Sequence, residues 1–259
     1  MQIKPKKSLG QNFLKDANIQ NKIIRACGFG SLDSVLEIGA GTGIMTGLIA
    51  GNVSKVYAVE IDRALIPVLT DNLKTYTNIK ILHQDILEFD LHKLNAAKLK
   101  VLGNIPYYIT TPIIEHLLGF RHKIEVIYLT VQKEFGQRMV ALPGSKAYGS
   151  FSCFVQYYTK PEILFTIKKN SFYPAPKVDS CFLRLKIREE PAVKVKNEVM
   201  LFKIIRTAFQ QRRKTMKNGL EELIPNRKLE EFFRLYDINP RIRAEDLALQ
   251  DFANLANLA

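Results

Sequence analysis

The sequence predicts an α/β fold in which a mostly parallel sheet with crossover helices is followed by a small all-α domain. Short apolar runs alternate with amphipathic segments over residues 1–190, which is the pattern of strands joined by helices. Beyond them, apolar side chains recur only at helical spacing, as in Phe202, Ile205 and Phe209. We therefore place a sheet-containing domain at residues 1–190 and a helical domain at residues 191–259.

Hydrophobic periodicity and turn residues define the elements in order along the chain. Apolar runs of strand length give the predicted strands Val35–Ile38, Lys55–Ile61, Ile79–Leu82, Leu99–Leu102, Ile124–Val131, Phe151–Tyr158 and Ser180–Ile187. The amphipathic segments between them give the predicted helices Gly43–Ala50, Asp62–Leu73, Thr111–Leu118 and Gln132–Val140. Asp62 is expected to cap its helix, and Pro225 and Pro240 are expected to separate the helices of the C-terminal domain.

The composition points to an anionic partner. The 259 residues carry a formal net charge of +13, and a basic excess of this kind is typical of nucleic-acid binding. Binding to a membrane surface is the alternative, and it would need a basic amphipathic helix with an exposed apolar face. No run approaches the roughly 18 apolar residues of a membrane span. Because Met1–Ser8 also lacks the apolar core of a signal peptide, we expect a cytoplasmic protein without a membrane partner.

Positive charge is concentrated in two clusters. The N-terminal cluster comprises Lys4, Lys6, Lys7, Lys15, Lys22 and Arg25. The second, which we call the C-terminal basic cluster, comprises Lys203, Arg206, Arg212, Arg213, Lys214 and Lys217. No acidic residue interrupts the second cluster, whereas a solvated helix face normally mixes signs. The C-terminal basic cluster is therefore the stronger candidate for contacts with a polyanion.

The three cysteines, Cys27, Cys153 and Cys181, are far apart and show no metal-ligand spacing. We expect them to be small buried hydrophobes, with neither a disulfide framework nor a metal site.

The tetrapeptide Asn104-Ile105-Pro106-Tyr107 follows the predicted strand Leu99–Leu102. The Asn104 side-chain oxygen and the Ile105 carbonyl can both accept hydrogen bonds from an exocyclic amine, and Pro106 fixes the backbone direction. Tyr107 offers a ring on which a base can stack. Two acceptors favour a more tetrahedral nitrogen with a free lone pair, so the turn predicts a site that prepares an aromatic amine for attack. The alternative is an ordinary Asn-x-Pro turn at the end of a strand.

A glycine-rich turn joins the first predicted strand to the first predicted helix. It contains Gly39, Gly41 and Gly43, preceded by Glu37. A dinucleotide-binding turn would have a glycine at the last position of G-x-G-x-x-G, which here is Ile44. The observed spacing instead favours S-adenosylmethionine, which has no phosphate and whose positive groups suit a carboxylate. A plain tight turn is the alternative.

Polar side chains stand at the ends of three further predicted strands, at Glu60, Asp85 and Asn104. A carboxylate at Glu60 can accept both ribose hydroxyls of an adenosine, and Asp85 can accept its adenine amine. Singly, each carboxylate is more often a surface or capping residue. Together they occupy the carboxyl ends of successive strands, where open α/β sheets bind ligands. The four histidines lie outside these motifs, so we assign no general base.

Three longer motifs resemble those of the ribosomal RNA adenine N6-dimethyltransferases of the KsgA (RsmA) type. Residues 172–180 read F-Y-P-A-P-K-V-D-S, which is similar to the family's F-x-P-x-P-K-V-D-S loop. Residues 211–216 read Q-R-R-K-T-M, which resembles the basic signature of the family's C-terminal helical domain. Residues 9–14 read L-G-Q-N-F-L, which resembles its cofactor-closing segment. The resemblance extends over almost the whole chain.

The resemblance implies a Rossmann-like, S-adenosylmethionine-dependent methyltransferase sheet and a role for each motif. The implied cofactor contacts are Asn12, Leu14, Glu37, Gly39, Gly41, Glu60, Asp85 and Asn104. The implied target-base contacts are Asn104, Ile105, Pro106, Tyr107 and Phe172, with the Phe172 ring packing on the base. The implied RNA contacts are Arg212, Arg213, Lys214 and Lys217, which would bind phosphates.

The implied reaction is dimethylation at N6 of two adjacent adenosines in the 3′-terminal hairpin loop of small-subunit rRNA. The implied partner is this rRNA within an immature 30S particle. A loop adenine is already partly unstacked, which lowers the cost of presenting it to an enzyme. Nothing in the sequence demands a dimer, so we expect a monomer.

Three other functions compete with this interpretation. An antibiotic-resistance methyltransferase of large-subunit rRNA would share the cofactor site, but the motifs at residues 211–216 and 144–149 favour the small-subunit family. A non-catalytic RNA-binding assembly factor would be expected to have lost cofactor ligands, which are intact here. A dinucleotide-dependent oxidoreductase is disfavoured by Ile44 and by the base-binding turn.

Overall fold

The structure, a computed structural model, describes residues 5–6, 9–211 and 214–259. Among these residues, no helix combines the length and the apolar character needed to span a bilayer. All three cysteines are buried, as predicted.

The chain divides into two compact units. Unit 1 comprises the described residues of Met1–Gly136 and Glu162–Ile187, and unit 2 comprises those of Gln137–Pro161 and Arg188–Ala259. Each unit is therefore built from two separate stretches of chain.

A seven-stranded sheet forms the centre of unit 1, in the order β4-β3-β2-β5-β6-β9-β7. The strands from β4 to β6 are parallel to one another, and β9 pairs antiparallel with β6. The strands of this sheet are β2 (Ser34–Ile38), β3 (Lys55–Glu60), β4 (Ile79–His83), β5 (Leu99–Asn104), β6 (Ile124–Gln132), β7 (Thr159–Ile167) and β9 (Ser180–Ile187). Central strands are covered on both faces, which explains why β2 and β5 carry runs such as Val35, Leu36 and Val101, each with 0% exposure.

Two further strands, β1 (Phe13–Leu14) and β8 (Phe172–Tyr173), pair antiparallel with each other. The helices that begin in unit 1 are α1 (Ala17–Cys27), α2 (Ile44–Ala50), α3 (Ile66–Leu73), α4 (Thr110–Gly119) and α5 (Lys133–Met139). Helix α1 shows why these segments are helical. Asp16 caps its first turn by accepting from the Asn18 and Ile19 amides, and Gly28 ends it in the left-handed conformation.

In the part of unit 2 that the structure describes, the regular elements are helices apart from the first residues of β7. Its helices are α6 (Ser150–Tyr158), α7 (Glu198–Gln210), α8 (Met216–Leu220), α9 (Asn226–Leu235) and α10 (Leu249–Leu258). Aromatic rings fill much of its interior; for example, the Tyr157 and Phe202 rings meet edge to face with centroids 5.2 Å apart. The α/β class and the helical C-terminal region predicted from the sequence are both confirmed.

Two element predictions were wrong, namely the strand at Phe151–Tyr158 and the start of a helix at Asp62. The segment Phe151–Tyr158 is helix α6, not a strand. Its aromatic composition is typical of strands, but Ser152 Oγ accepts from the Gly149 amide at the helix start and Tyr157 and Tyr158 pack against Phe202. The strand lies immediately after it, at Thr159–Ile167, and was missed.

The helix predicted from Asp62 begins later, at Ile66. Asp62 bonds the Ala64 amide within a turn that precedes the helix. Its carboxylate mainly holds the N-terminal segment, through Lys6 Nζ at 2.6 Å and Gln11 Nε2 at 3.1 Å.

Candidate active site

The carboxyl ends of β2 and β5 lie side by side, at the point where the strand order reverses direction. Ile38 pairs with Gly103 in the register of these strands, so the glycine turn after β2 and Asn104 at the end of β5 are neighbours. Open α/β sheets bind ligands at this kind of position. The predicted glycine turn and the predicted base-binding turn therefore belong to one site in unit 1.

Three cavities follow one another along this edge of the sheet, and Gly39 borders all of them. The first, of about 270 Å³, is lined by residues that include Leu14, Glu37, Asn104 and Tyr173. The second, of about 80 Å³, is lined by Asn12, Gly41, Glu60 and Asn104 through Tyr107, among others. The third, of about 70 Å³, is lined by residues that include Asp85, Ile105 and Pro106. Every predicted cofactor contact thus borders at least one of the three cavities.

Glu60 closes the glycine turn from the neighbouring strand. Its carboxylate accepts from the Gly41 amide at 2.7 Å and from the Asp62 amide at 2.8 Å, one bond to each oxygen. Gly41 has a positive φ of +59°, and a Cβ added there would lie 3.2 Å from the Phe13 ring. Each carboxylate oxygen of Glu60 keeps a second lone pair, so the side chain can still accept hydroxyl groups from the second cavity.

Glu37 is buried below the first cavity, with 3% of its surface exposed. Its Oε2 atom has no hydrogen-bond partner among the described residues, and the same holds for the buried Thr46 Oγ1. Burial raises the pKa of Glu37 to about 8; the nearby Thr46 hydroxyl opposes this rise and the Glu60 carboxylate adds to it. A buried carboxyl oxygen without a hydrogen-bond partner is costly, and a cationic ligand in the adjoining cavity would supply that partner.

Asn104 is oriented by the N-terminal segment. Its Nδ2 donates to the backbone carbonyl of Asn12 at 3.0 Å. That bond uses the nitrogen end of the amide, so the oxygen end remains for a ligand. Lys6 and Gln11 anchor the same segment on Asp62. Burial alone would raise the pKa of Asp62, but bonds from Lys6, the Ala64 amide and Gln11 outweigh it and lower the pKa.

Asp85 lies at the far end of the row of cavities, just after β4. One of its oxygens accepts from the Leu87 amide at 2.9 Å, which fixes the carboxylate at the rim of the third cavity. Ile105 is buried there with 3% exposure. The adjoining apolar lining from Val59 and Ile113 suits a flat ring.

Tyr107 is half-buried beside the second cavity, and its hydroxyl lies 2.6 Å from Ser180 Oγ. Burial raises the pKa of Tyr107, while the bond to Ser180 opposes the rise, so the phenol stays neutral near pH 7. Ser180 is itself fully buried at the start of β9. The pair fixes the Tyr107 ring in one orientation.

Phe172 does not occupy the position expected of a base-stacking ring. It is 1% exposed and packs in the core cluster with Leu14 and Ile23, and it lines none of the three cavities. Strand residues alternate between faces, so pairing with β1 turns Phe172 inward and Tyr173 outward. The Tyr173 ring is 59% exposed and lines the first cavity.

The C-terminal basic cluster is only partly described. Arg212 and Arg213 lie outside the described residues. Lys203, Arg206 and Lys214 are exposed. Lys217 makes an ion pair with Glu230 at 3.0 Å in unit 2.

Sequence reasoning missed three residues of this site, namely Thr46, Ser180 and Tyr173. Ser180 and Tyr173 lie inside the F-x-P-x-P-K-V-D-S motif, so the motif itself was the available signal. Thr46 offered none, because a threonine in a short helix normally packs without a special role.

Comparison with known proteins gives a consistent assignment. A family model for the ribosomal RNA adenine dimethylases matches residues 2–259. The chain is 43% identical over 263 residues to ribosomal RNA small subunit methyltransferase A of Geobacillus sp. (strain WCH70), covering 97% of this chain and 90% of that protein.

Solved structures agree with this assignment. A dimethyladenosine transferase from Plasmodium falciparum is similar with a TM-score of 0.81 at 28% identity, over 94% of this chain and 95% of that one. The 23S rRNA methyltransferase ErmE shares the fold, with a TM-score of 0.76 at 23% identity over 95% of this chain and 99% of that one. The chain belongs to the ribosomal RNA adenine dimethylase family.

Proposed function

We propose that this protein dimethylates N6 of two adjacent adenosines in the 3′-terminal hairpin loop of small-subunit rRNA. Family membership makes it a methyltransferase of ribosomal RNA that uses S-adenosylmethionine. The observation that carries the proposal is the row of cavities at the ends of β2, β3, β4 and β5, two of which are lined by Asn104. A donor pocket and an amine-binding turn share that residue.

The chemistry of the donor-side residues fits S-adenosylmethionine. When bound, this donor supplies an electrophilic methyl group. Glu37 offers an unsatisfied carboxylate to a cation, and Glu60 offers lone pairs to hydroxyl groups. Asp85 stands where it can accept from an exocyclic amine, and Asn12 and Leu14 cover the pocket from the N-terminal side.

Asn104 and Ile105 prepare the target nitrogen in this proposal. The Asn104 oxygen and the Ile105 carbonyl accept the amine hydrogens, two before the first transfer and one before the second, which draws the nitrogen lone pair out of conjugation with the ring. Tyr107, fixed by Ser180, supplies a stacking face. No side chain needs to act as a strong base, because the proton leaves after the nitrogen has become cationic.

The partner in this proposal is small-subunit rRNA inside an immature 30S particle, bound by a cytoplasmic monomer. In this proposal residues 1–190 carry out catalysis and residues 191–259 bind the RNA. The exposed Lys203, Arg206 and Lys214 support phosphate contacts by the second region. The contributions of Arg212, Arg213 and Lys217 remain predictions from the sequence.

The test is methyl transfer from tritiated S-adenosylmethionine to subunits of a strain that lacks the modification. Immature 30S particles and 50S subunits are offered separately, and labelled nucleosides are identified by chromatography after digestion. We expect N6,N6-dimethyladenosine at two neighbouring positions of small-subunit rRNA only. Label found only in large-subunit rRNA would instead indicate the antibiotic-resistance reaction. Binding of the donor without methyl transfer to either subunit would favour a non-catalytic role.

A further inference from the structure

Exposed lysines of unit 1 lie beside the mouth of the first cavity. β1 pairs with β8, and just beyond this pair the Lys15 amide donates to the Ser171 carbonyl at 2.9 Å. Lys15 and Tyr173 both line the cavity. Five exposed lysines stand on this strand pair and on the segments bonded to it, and we call them the basic rim: Lys15, Lys133, Lys168, Lys169 and Lys177.

Asp179, at the end of the loop between β8 and β9, holds these segments together. One of its carboxylate oxygens accepts from the Lys169 amide at 3.0 Å, and the other accepts from Lys168 Nζ at 3.1 Å. Its carbonyl accepts from the Lys133 amide at 3.0 Å. Lys177 lies on the same loop. The basic rim is therefore one local surface, and all of it belongs to unit 1.

Little of this positive charge is neutralised within the protein. Lys168 makes an ion pair with Asp179, whereas the other four lysines of the basic rim make none among the described residues. Asp16, just after β1, uses its two oxygens to cap helix α1 and to accept from the Ser171 hydroxyl. Glu134 is exposed at the start of α5 and offsets one further charge. A positive excess therefore remains available to a ligand.

The other end of the row of cavities carries the opposite charge. The segment that follows β4, at residues 84–90, contains Asp85, Glu88 and Asp90 and no basic residue. Asp85 lines the third cavity, and Glu88 is exposed. A polyanion is attracted to the first end of the row and repelled from the other. The charges thus favour one direction of approach to Asn104.

We propose that the basic rim binds the phosphates that flank the target adenosine, so that the RNA enters the site from the side of the first cavity. Unit 1 then adds its own electrostatic contacts with the loop that it modifies to those of the C-terminal basic cluster. This inference rests on the proposed function, since it takes a single-stranded RNA loop as the occupant of the surface.

The composition of the surface suits single-stranded RNA. The Tyr173 ring is 59% exposed and lies beside the lysines. Proteins bind single strands with a positive surface that follows the phosphates and with aromatic rings on which bases stack. Phosphate contacts fix the position of the chain without reading its sequence. The basic rim would therefore hold the loop in place while Asn104 selects the amine.

The experiment measures binding of the whole protein to a fluorescein-labelled RNA hairpin whose loop contains two adjacent adenosines, by anisotropy over a range of salt concentrations. Lys169→Gln plus Lys177→Gln removes two exposed charges of the basic rim and keeps Lys168 on Asp179. Each phosphate contact on a single strand contributes about 0.7 to the slope of log affinity against log salt. We expect the double variant to reduce the slope by about 1.4 and to weaken binding about tenfold at about 0.1 M salt.

Lys80→Gln plus Lys93→Gln is the matched control. It removes the same charge from exposed positions of unit 1 that border none of the three cavities. The control should leave the slope unchanged. An equal loss of slope in the two double variants would overturn the inference, because only the net charge would then matter.

A second hairpin locates the contact on the RNA. It carries neutral methylphosphonates in place of the phosphates that flank the pair of adenosines. The unmodified protein should lose slope with this hairpin, whereas Lys169→Gln plus Lys177→Gln should lose little more. Lys203→Gln plus Arg206→Gln, in the C-terminal basic cluster, should remain sensitive to the methylphosphonates.

Three results would contradict the role of the basic rim. They are an unchanged slope in Lys169→Gln plus Lys177→Gln, losses that add fully when this variant meets the neutral hairpin, and failure of the unmodified protein to bind the charged hairpin. None of them affects the proposed function, because methyl transfer to 30S particles is measured separately. Hairpin binding without methyl transfer to any rRNA would instead count against the proposed function and not against the basic rim.

Discussion

The two units treat buried charge in opposite ways. Unit 1 buries three acids, Glu37, Glu60 and Asp62, whereas the described part of unit 2 buries only the uncharged polar residues Ser152 and Thr159. Removing a carboxylate from water is costly unless it is paired or hydrogen-bonded. Each carboxylate oxygen of Asp62 and Glu60 accepts at least one hydrogen bond, whereas Glu37 Oε2 accepts none among the described residues.

This difference corresponds to two different roles. Unit 1 contains a buried acid that lacks a hydrogen-bond partner, and a bound ligand can supply it. Unit 2 is stabilised by aromatic and aliphatic packing and carries its basic side chains outside, as at Lys203 and Lys214. Chemistry is therefore expected to depend on single residues of unit 1, and most of the RNA affinity on the summed charge of unit 2.

The largest effect is expected at Asn104 in unit 1. Asn104→Ala removes an acceptor aimed at the target amine, and loss of one such preorganised group costs about 100- to 1,000-fold in turnover. Methyl transfer under single-turnover conditions should fall by about 1,000-fold, while donor affinity measured by calorimetry should stay within a few-fold. Asn95→Ala, at an exposed asparagine of the same unit, is the matched control; full turnover by Asn104→Ala would remove the proposed role.

A smaller effect is expected from the neighbouring aromatic residues of β8. Phe172→Ala empties a fully buried site and should lower the free energy of unfolding by about 3 kcal/mol. Tyr173→Ala should leave stability nearly unchanged and raise the KM for RNA by about tenfold if the exposed ring stacks on a base. Denaturant unfolding and steady-state kinetics check the two together, and the reverse pattern would restore Phe172 as the stacking ring.

The smallest effect is expected in unit 2. Replacing Arg212 and Arg213 together by alanine should weaken RNA binding and reduce the slope of log affinity against log salt by about two. Glu221→Gln plus Glu222→Gln, nearby in the sequence, should not make the slope shallower. A double arginine variant with an unchanged slope would place the RNA on another surface.

Much of the fold followed from local patterns, because the central strands are buried on both faces and read as apolar runs. The ends of the predicted strands also placed Glu60, Asp85 and Asn104 along one edge of the sheet. The segment Phe151–Tyr158 was assigned wrongly because strand-like composition competes with helical packing that only distant residues decide.

The site could be located from the sequence, but its internal bonds could not. The pairing of β1 with β8, which buries Phe172 and exposes Tyr173, joins segments more than 150 residues apart. The pKa of Glu37 depends on how completely Glu37 is buried, and a motif does not reveal burial. Such features arise from tertiary packing. A motif therefore predicts which residues come together, but it does not predict which of their atoms face the ligand.

The bond from Asn104 to the Asn12 carbonyl spans 92 positions and ends on the main chain. Every residue type provides that oxygen, so no single codon change at position 12 deletes it. A change of side chain at position 12 therefore leaves the acceptor of the amide in place, whereas an insertion or deletion that shifts the path of the segment would remove it.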